Sequence, residues 1–439
     1  MLPRLTLAQG RSRPIDAGHP WIFAGALDSR SAKLKLDPGA WVEVCADGGA
    51  SLGVGLYSPN STIRVRMVER EVPEEALNDL GVTYDEAALA FWRSRIEAAR
   101  DRRLRDGASD APDAAWRVVN SEGDGLPGLV VDRFGEVVTV QVSTLPMELR
   151  RPVLLAAITE ALKPRYILLA DPERAAEQEG FEPCRGWHGP SPGGPVVFRE
   201  GVVRFALTDE VTQKTGHFLD VGSHRAWVAA RCAGLRVFDG YCFTGGFGLH
   251  AAVAGAASVL AVDSSAPAIA QAQANLALQE DGESLKARAT FVADDVRNQL
   301  RSSFDRGRVF DVVILDPPKF APRKQDVPAA LKSYTSLLIE ALRVVAPGGL
   351  LGISSCSHHI GEPELVRALS IACGRVSRPV DVVHVAGQTS DHPYPVAMTE
   401  GRYLSFVFAR TRGEDSLSLF AVGESRSAAD PHSSVSVEQ

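Results

Sequence analysis

Acidic residues and one cysteine follow successive apolar runs in the second half of the chain, and they could bind a cofactor and perform covalent chemistry. The acids that close the first four runs are Asp239, Asp263, the pair Asp294 and Asp295, and Asp316. The fifth run, GLLGISSC, ends in Cys356. These runs alternate with Ala- and Leu-rich segments of helical spacing, which predicts a parallel sheet covered by helices on both faces. Because parallel strands share a carboxyl edge, we expect these side chains to meet there.

A glycine-rich turn, GYCFTGGFG, follows Asp239 and leads into a predicted helix. Glycines let a backbone approach a nucleotide closely. We expect Asp263 to accept hydrogen bonds from a ribose and Asp294 or Asp295 from an adenine, although each acid could instead cap a helix. The turn lacks GxGxxG and a basic residue for a pyrophosphate, which favours S-adenosylmethionine over NAD. The predicted cofactor contacts are Asp239, Phe243, Thr244, Gly245, Gly246, Asp263, Asp294, Asp295 and Asp316.

Two prolines follow Asp316, in the sequence LDPPKF. They impose a rigid, extended exit from the strand and remove two backbone donors. Such an exit could hold a planar base against a firm wall, with Asp316 accepting a hydrogen bond from an exocyclic amine. We therefore predict Pro317, Pro318 and Lys319 as substrate contacts; a plain strand terminator is the alternative.

Cys356 is predicted to be a nucleophile, because it is flanked by serines at the same edge as Asp316. Buried cysteines are more often inert apolar residues, and we expect that of the other five. Cys242 is the possible exception among them, because it lies in the glycine-rich turn. A metal site formed by Cys356, His358 and His359 is the third interpretation. It is disfavoured because the chain has no second pair of ligands, so no metal is predicted.

The composition is that of a folded globular protein of two to four domains: 439 residues, 45% hydrophobic and 23% charged. No apolar run is long enough for a membrane helix, no signal peptide is evident, and the six cysteines form no CxxC pair. We expect a cytoplasmic protein with reduced thiols and no membrane partner. The net charge is −7, but residues 1–70 carry nine Lys and Arg against six Asp and Glu. A basic N-terminal module on an acidic enzyme is compatible with nucleic acid binding.

Short β runs broken by glycine and proline suggest a small β-barrel at the N-terminus. Alternation over residues 63–67 predicts a strand with a solvent-exposed basic face, where Arg64 and Arg66 could contact phosphates. A solvent-exposed face with no binding role is the alternative. A helix is predicted at about 83–106. Two β runs after Trp116 predict a hairpin at residues 133–135 in a small α+β domain.

The remaining segments are less patterned. The Gly- and Pro-rich stretch 184–195 indicates a linker or a long turn. The Ser-rich, acidic residues 413–439 are expected to be a disordered tail.

Several motifs resemble those of bacterial large-subunit ribosomal RNA cytosine-C5 methyltransferases that carry an N-terminal PUA domain. They are VFDGYCFTGGFGLH, FDVVILDPPKFAPRK, ISSCS, HPWIFAGAL, SPNSTIRVRMV, EGDGLPGLVVDRFG and QKTGHFLDVGSHR, and they span about residues 1–410. The resemblance implies a PUA-like RNA-binding β-barrel over 1–72, an α+β middle domain over 73–190, and a Rossmann-like class I methyltransferase domain over 191–412. That last domain is an α/β fold with a seven-stranded, mostly parallel sheet.

The resemblance also implies a function: formation of 5-methylcytosine in 23S ribosomal RNA, in an assembly intermediate, with a homodimer considered. Cytosine C5 is too weak a nucleophile alone, so the Cys356 thiolate would add to C6 and activate it, while Asp316 holds the N3/N4 edge. Related two-cysteine enzymes have a second cysteine where this chain has Pro318 or Lys319, so the acceptor of the C5 proton is unassigned. The family's KTGxYLDQRxxR motif departs here, with Val221 and Gly222 in place of Gln-Arg.

Other functions are compatible with parts of this pattern. An acid-Pro-Pro motif also suits a methyltransferase acting on the exocyclic amine of adenine or guanine, for which no thiol would be needed. A non-catalytic RNA-binding protein of ribosome assembly is a second alternative. An NAD-dependent oxidoreductase is the most remote, because its glycine fingerprint is missing.

Overall fold

The computed structural model describes residues 2–70, 85–208 and 216–413. Within these ranges the strands form a five-stranded N-terminal sheet, a five-stranded middle sheet, a separate hairpin and a seven-stranded C-terminal sheet. The predicted tail lies outside the described residues apart from Gly413. Lys214 and Thr215 of the motif QKTGHFLDVGSHR, called the QKTG motif below, also lie outside them. None of the helices in the described part of the chain has both the length and the apolar content needed to cross a bilayer.

The N-terminal sheet has the order β1-β3-β4-β5-β2, in which only the β1–β3 pair is parallel. Its core is formed by apolar side chains such as Leu5, Val42 and Val65, which are fully buried. Its elements are β1 (Arg4–Thr6), α1 (Arg13–Asp16), β2 (Trp21–Phe23), β3 (Trp41–Cys45), β4 (Ser51–Tyr57) and β5 (Ile63–Glu69).

A long helix, α2 (Glu86–Arg105), connects the N-terminal sheet to the middle sheet and confirms the helix predicted at about 83–106. Asp85 caps it by accepting a hydrogen bond from the backbone N–H of Ala88, at 2.7 Å. Trp92 and Ile96, one turn apart, are completely buried in a core shared with the middle sheet, and Trp92 also stacks on Trp41 of the N-terminal sheet. Packing of this stripe therefore fixes the helix to the domain that follows it.

The middle sheet has the order β10-β9-β8-β7-β6. The hairpin predicted at 133–135 is confirmed, because Phe134 pairs with Val137 across the turn. The linker predicted at 184–195 is partly wrong: β10 pairs with β9, and Trp187 packs edge-on against Tyr166. The elements are β6 (Ala115–Asn120), β7 (Leu129–Phe134), β8 (Val137–Val142), α3 (Leu145–Glu148), α4 (Arg151–Leu162), β9 (Tyr166–Ala170), α5 (Glu173–Glu179) and β10 (Arg185–His188).

The C-terminal sheet has the order β15-β14-β13-β16-β17-β19-β18, and its first five strands are parallel. This confirms the seven-stranded, mostly parallel sheet, since β19 alone runs opposite to the other six strands. The strands are β13 (Arg236–Gly240), β14 (Ser258–Asp263), β15 (Ala289–Ala293), β16 (Phe310–Leu315), β17 (Val345–Ser355), β18 (Val380–Ala386) and β19 (Ser405–Thr411).

Helices cover both faces of this sheet, so the continuously apolar strands are buried on both sides. A short hairpin of β11 (Val196–Glu200) and β12 (Val203–Leu207) precedes them. The helices are α6 (Gly222–Ala229), α7 (Gly246–Val253), α8 (Ala266–Ala277), α9 (Gly282–Lys286), α10 (Val296–Asp305), α11 (Val327–Val344) and α12 (Glu362–Val376).

Candidate active site

The carboxyl ends of five parallel strands meet at one edge of the C-terminal sheet, as the sequence predicts. Gly240 pairs with Leu315 across β13 and β16, and Leu315 pairs in turn with Ile353 of β17. The strand order reverses between β13 and β16, so a crevice opens there. The glycine-rich turn lies on one side of this crevice, and Asp316 and Cys356 lie on the other.

The glycine-rich turn has backbone angles that bend it sharply towards α7. Tyr241 and Phe243 have positive φ angles of 64° and 50°, and Gly245 has φ of 88°. A Cβ atom at Gly245 would approach the Phe291 ring to 2.9 Å, so a larger residue would both strain and crowd the turn. The N–H of Phe243 donates to Asp263 at 2.9 Å, which ties the turn to the end of β14.

Asp239 is fully buried beneath the turn, and its two carboxylate oxygens differ. Oδ2 accepts a hydrogen bond from the N–H of Gly248 at 2.7 Å, whereas Oδ1 is buried with no hydrogen-bond partner. Burial raises the pKa of Asp239 to about 7, and the nearby charges of Asp316 and Asp263 add to the rise. A buried, unpaired carboxylate beside two other acids favours a cationic ligand.

This chemistry fits S-adenosylmethionine, which carries positive charge on its sulfonium and ammonium groups. The glycine-rich turn provides the close backbone approach, and Asp239, Asp263 and Asp316 provide compensating negative charge. When bound, the cofactor supplies an electrophilic methyl group at this edge of the sheet.

We predict that Asp239 makes the stability of the cofactor-free protein depend on pH. Its folded pKa of about 7 exceeds the ordinary value of 3.8, so protons bind more tightly to the folded state. The stability that this group contributes is fully present below pH 4 and is lost as pH rises through 7, by up to about 4 kcal/mol. The free energy of unfolding, measured with urea from pH 4.5 to 8, should therefore fall less steeply with pH in Asp239→Asn than in wild type.

The matched control is Asp305→Asn, an exposed aspartate at the end of α10, which should leave the slope unchanged. Added S-adenosylmethionine should flatten the wild-type slope, because a bound cation favours the ionised carboxylate. Identical slopes for wild type and Asp239→Asn would contradict the assignment.

The acids after β14 and β15 occupy different environments. Asp263 accepts from the N–H of Ser265 as well as Phe243. Asp294 accepts from the side chain of Gln299 at 2.6 Å. Asp295 is exposed and caps α10 through the N–H of Asn298 at 2.9 Å, which is the alternative role weighed for these acids.

Other residues of the turn are structural as well. Thr244 is buried and its carbonyl accepts a hydrogen bond from Asn275 of α8 at 3.1 Å. A Cβ atom at Gly246 would lie 2.6 Å from Nε of Arg225, so that guanidinium packs directly against the turn. A cofactor contact by Thr244 or Gly246 would therefore be made from a turn that the rest of the domain holds in place.

Cys356 lies one residue beyond β17 and is half-buried at the rim of the sheet. The neighbouring β16 is followed by Asp316, whose carboxylate accepts a hydrogen bond from the hydroxyl of Ser354. Pro317 is buried, whereas Pro318 and Lys319 are exposed beside it. The thiol and the acid-Pro-Pro exit thus share one rim, open to solvent on the side where the prolines emerge.

Tyr334 of α11 supports this rim, and the sequence analysis missed it. Its side chain is completely buried, and its ring packs edge-on against Phe320 with centroids 4.9 Å apart. Burial raises the pKa of Tyr334, with further effects from the adjacent Ser355, Cys356 and Asp316. The apolar residues around Tyr334 have helical spacing and predict the helix, but no local pattern distinguishes this residue from an ordinary core tyrosine.

A buried ionic cluster behind the glycine-rich turn was also missed. Nη1 of Arg225 lies 2.6 Å from Oε2 of Glu200, and His217 and His250 contact the same carboxylate at 3.0 and 3.3 Å. Burial alone would raise the pKa of Glu200, but Arg225 and His217 hold it well below its usual range. Burial, aided by Arg225, lowers the pKa of His217 and of His250, so both imidazoles are neutral at pH 7. The His217 and Arg225 positions lie in the QKTG motif, while Glu200 carries no local signal.

The two arginines expected to contact phosphate differ in the structure. Arg64 is partly exposed, and its guanidinium donates to the carbonyl of Pro59. Arg66 is buried and pairs with Glu179 at 2.9 Å and Glu122 at 3.8 Å. The predicted phosphate contact of Arg66 is therefore wrong, because the middle domain covers the face of β5 that was expected to be wet.

Comparisons with known proteins agree with this architecture. Residues 5–70 match the PUA-like domain family, and residues 160–372 match the S-adenosylmethionine-dependent methyltransferase family. Solved methyltransferases share the fold at low sequence identity. One crystallised with S-adenosylhomocysteine has a TM-score of 0.75 at 18% identity, and one from Streptococcus mutans has 0.71 at 17%. Both cover 93% of this chain and 100% of their own.

Curated relatives extend over nearly the whole chain. The protein from Shewanella denitrificans is 33% identical over 93% of this chain and 100% of its own length. The protein from Shewanella frigidimarina is 34% identical with the same coverage, and that from Cronobacter sakazakii is 30% identical over 92% and 98%. All three are named ribosomal RNA large subunit methyltransferase I. The chain belongs to this family of S-adenosylmethionine-dependent methyltransferases.

Proposed function

We propose that this enzyme forms 5-methylcytosine in 23S ribosomal RNA through a covalent bond between Cys356 and cytosine C6. The observation that carries the proposal is the position of the thiol, half-buried at the rim that also holds Asp316 and the two prolines. A thiol buried in the core could not reach a base. A thiol far from the acidic pocket formed by Asp239, Asp263 and Asp316 could not activate a base beside the methyl donor.

The chemistry at Cys356 begins with its thiolate, which is the nucleophilic form. Attack on C6 forms a carbon–sulfur bond and moves the ring electrons towards N3, so that C5 gains enamine character and accepts the methyl group. A base then removes the C5 proton, and the electrons of that bond expel the thiolate from C6. The thiol is regenerated and the ring becomes aromatic again.

Asp316 is suited to bind the cytosine edge during this sequence. Its carboxylate is oriented by the Ser354 hydroxyl and can accept a hydrogen bond from the exocyclic amine. The rigid exit made by Pro317 and Pro318 can support the plane of the base, and the exposed Lys319 can contact the RNA backbone. The target base must leave its stack to enter such a site.

The RNA partner is proposed on the names of the relatives and on the domain composition. A PUA-like domain and a partly exposed arginine, Arg64, suit recognition of RNA by its backbone and shape. We propose an assembly intermediate as substrate, in the cytoplasm. A homodimer would be compatible with this activity.

The identity of the methylated nucleoside tests the proposal. After incubation of a large-subunit RNA transcript with the enzyme and S-adenosylmethionine, digestion and mass spectrometry should show 5-methylcytidine. That result is expected because the thiol can activate C5, whereas amine methylation needs no covalent adduct. N6-methyladenosine or N2-methylguanosine as the product would contradict it and favour the exocyclic-amine alternative.

A further inference from the structure

A second cleft lies between the N-terminal and middle domains, away from the cofactor pocket. It has a volume of about 500 Å³, and Trp21 is among the residues that line it. That volume is in the range of small-ligand sites. Its lining includes neutral polar side chains from both domains: Asn60, Ser61, Thr62, Ser121, Ser143 and Gln178.

The floor of the cleft is charged and held rigidly. Arg66 is 8% exposed and is paired with Glu179 and close to Glu122. Glu122 also accepts a hydrogen bond from the indole N–H of Trp21, at 2.8 Å. These three charged groups sum to −1, so the cleft repels phosphate, while its carboxylates and amides can accept hydrogen bonds from a neutral ring.

Segments next to the cleft contact the methyltransferase domain. His19, two residues before Trp21, lies 3.5 Å from Glu400 of the catalytic domain. On the other wall, the side chain of Asn120 donates to the carbonyl of Pro393 at 2.7 Å. The cleft therefore adjoins the domain that holds Cys356.

We propose that this cleft binds an unpaired nucleobase of the RNA substrate, stacked on Trp21, while the target cytosine enters the site at Cys356. Stacking on an aromatic ring and hydrogen bonding to the base edge are the usual means of recognising unstacked RNA bases. The rim residues suit the attached backbone, because Arg64 and Arg174 adjoin lining residues and are at least partly exposed. This inference rests on the proposed activity on ribosomal RNA.

The first experiment replaces Trp21 by Leu and measures methylation of a synthetic RNA that contains the target region. Loss of one stacking partner should raise the KM for RNA about tenfold. The kcat and the KM for S-adenosylmethionine should stay within twofold of wild type. The matched control is Phe304→Leu, an aromatic residue that is 50% exposed on α10, which should change none of these values.

Because Trp21 also contacts Glu122, a second measurement separates base binding from domain docking. Affinity is measured without turnover for RNAs that carry a single abasic site at successive positions. One abasic position should weaken wild-type binding about tenfold and should not weaken Trp21→Leu further. If the abasic effects are the same in wild type and Trp21→Leu at every position, or if KM for RNA is unchanged, the cleft does not bind a base. A different outcome is that one abasic position weakens binding only in wild type, but no 5-methylcytidine is formed. That result would reject the proposed chemistry and support the base-binding cleft.

Discussion

Replacement of Cys356 by Ala should lower the rate of methyl transfer to RNA by at least about a thousandfold, or about 4 kcal/mol in activation free energy. Without the thiolate, no covalent bond forms at C6 and C5 remains a poor nucleophile. Single-turnover transfer of a radiolabelled methyl group measures the effect directly. Binding of S-adenosylmethionine, followed by calorimetry, should persist, because the acidic pocket does not include the thiol.

Two further variants make the Cys356 result specific. Cys356→Ser keeps the size and polarity of the side chain but offers an un-ionised hydroxyl, so it should be nearly as inactive as Cys356→Ala. Cys373→Ala removes a partly buried thiol of α12 that packs with the core, and it should retain wild-type activity. Activity of Cys356→Ala within tenfold of wild type would exclude the covalent route.

Replacement of Arg225 by Met should destabilise the protein by about 3–5 kcal/mol. It leaves the carboxylate of Glu200 buried with two neutral histidines and no cation, and an uncompensated buried charge costs about that much. Urea unfolding followed by circular dichroism measures the change. Because Arg225 also packs against Gly246, affinity for S-adenosylmethionine should fall as well.

A surface ion pair in the same domain is the control for the Arg225 variant. Arg301 lies 2.7 Å from Glu340, but its side chain is 55% exposed, so Arg301→Met should cost far less stability than Arg225→Met. The double variant Arg225→Met, Glu200→Met should recover part of the stability lost in Arg225→Met, since no buried charge is then left unpaired. Equal losses in the single and double variants would show that packing, not charge, dominates.

The C-terminal sheet and the position of its chemical groups could be predicted from the sequence, because both depend on local patterns. Apolar runs such as VVIL indicate strands buried on both faces, and the residue after a parallel strand must lie at the carboxyl edge. Asp316 and Cys356 could be placed at one rim in this way without any knowledge of long-range contacts, whereas the full burial of Asp239 beneath the turn could not. The glycine-rich turn was predictable for the same reason.

Contacts between distant segments could not be predicted in this way. Arg66 pairs with Glu179, 113 residues further along the chain, and this pair turns an apparently wet strand face into a domain interface. Glu200 meets Arg225 only because the β11–β12 hairpin packs behind α6 and α7. The strand at 185–188 was hidden because its residues fit a loop composition, and pairing with β9 overrides that preference.

The covalent bond at Cys356 can be tested most directly with RNA that contains 5-fluorocytidine. Fluorine at C5 cannot leave as a proton, so the adduct should accumulate instead of resolving. We expect wild-type enzyme with S-adenosylmethionine to form an RNA–protein complex that survives denaturation, with the nucleotide mapped by mass spectrometry to the peptide containing Cys356. No such complex, or a nucleotide attached to another residue, would contradict the account.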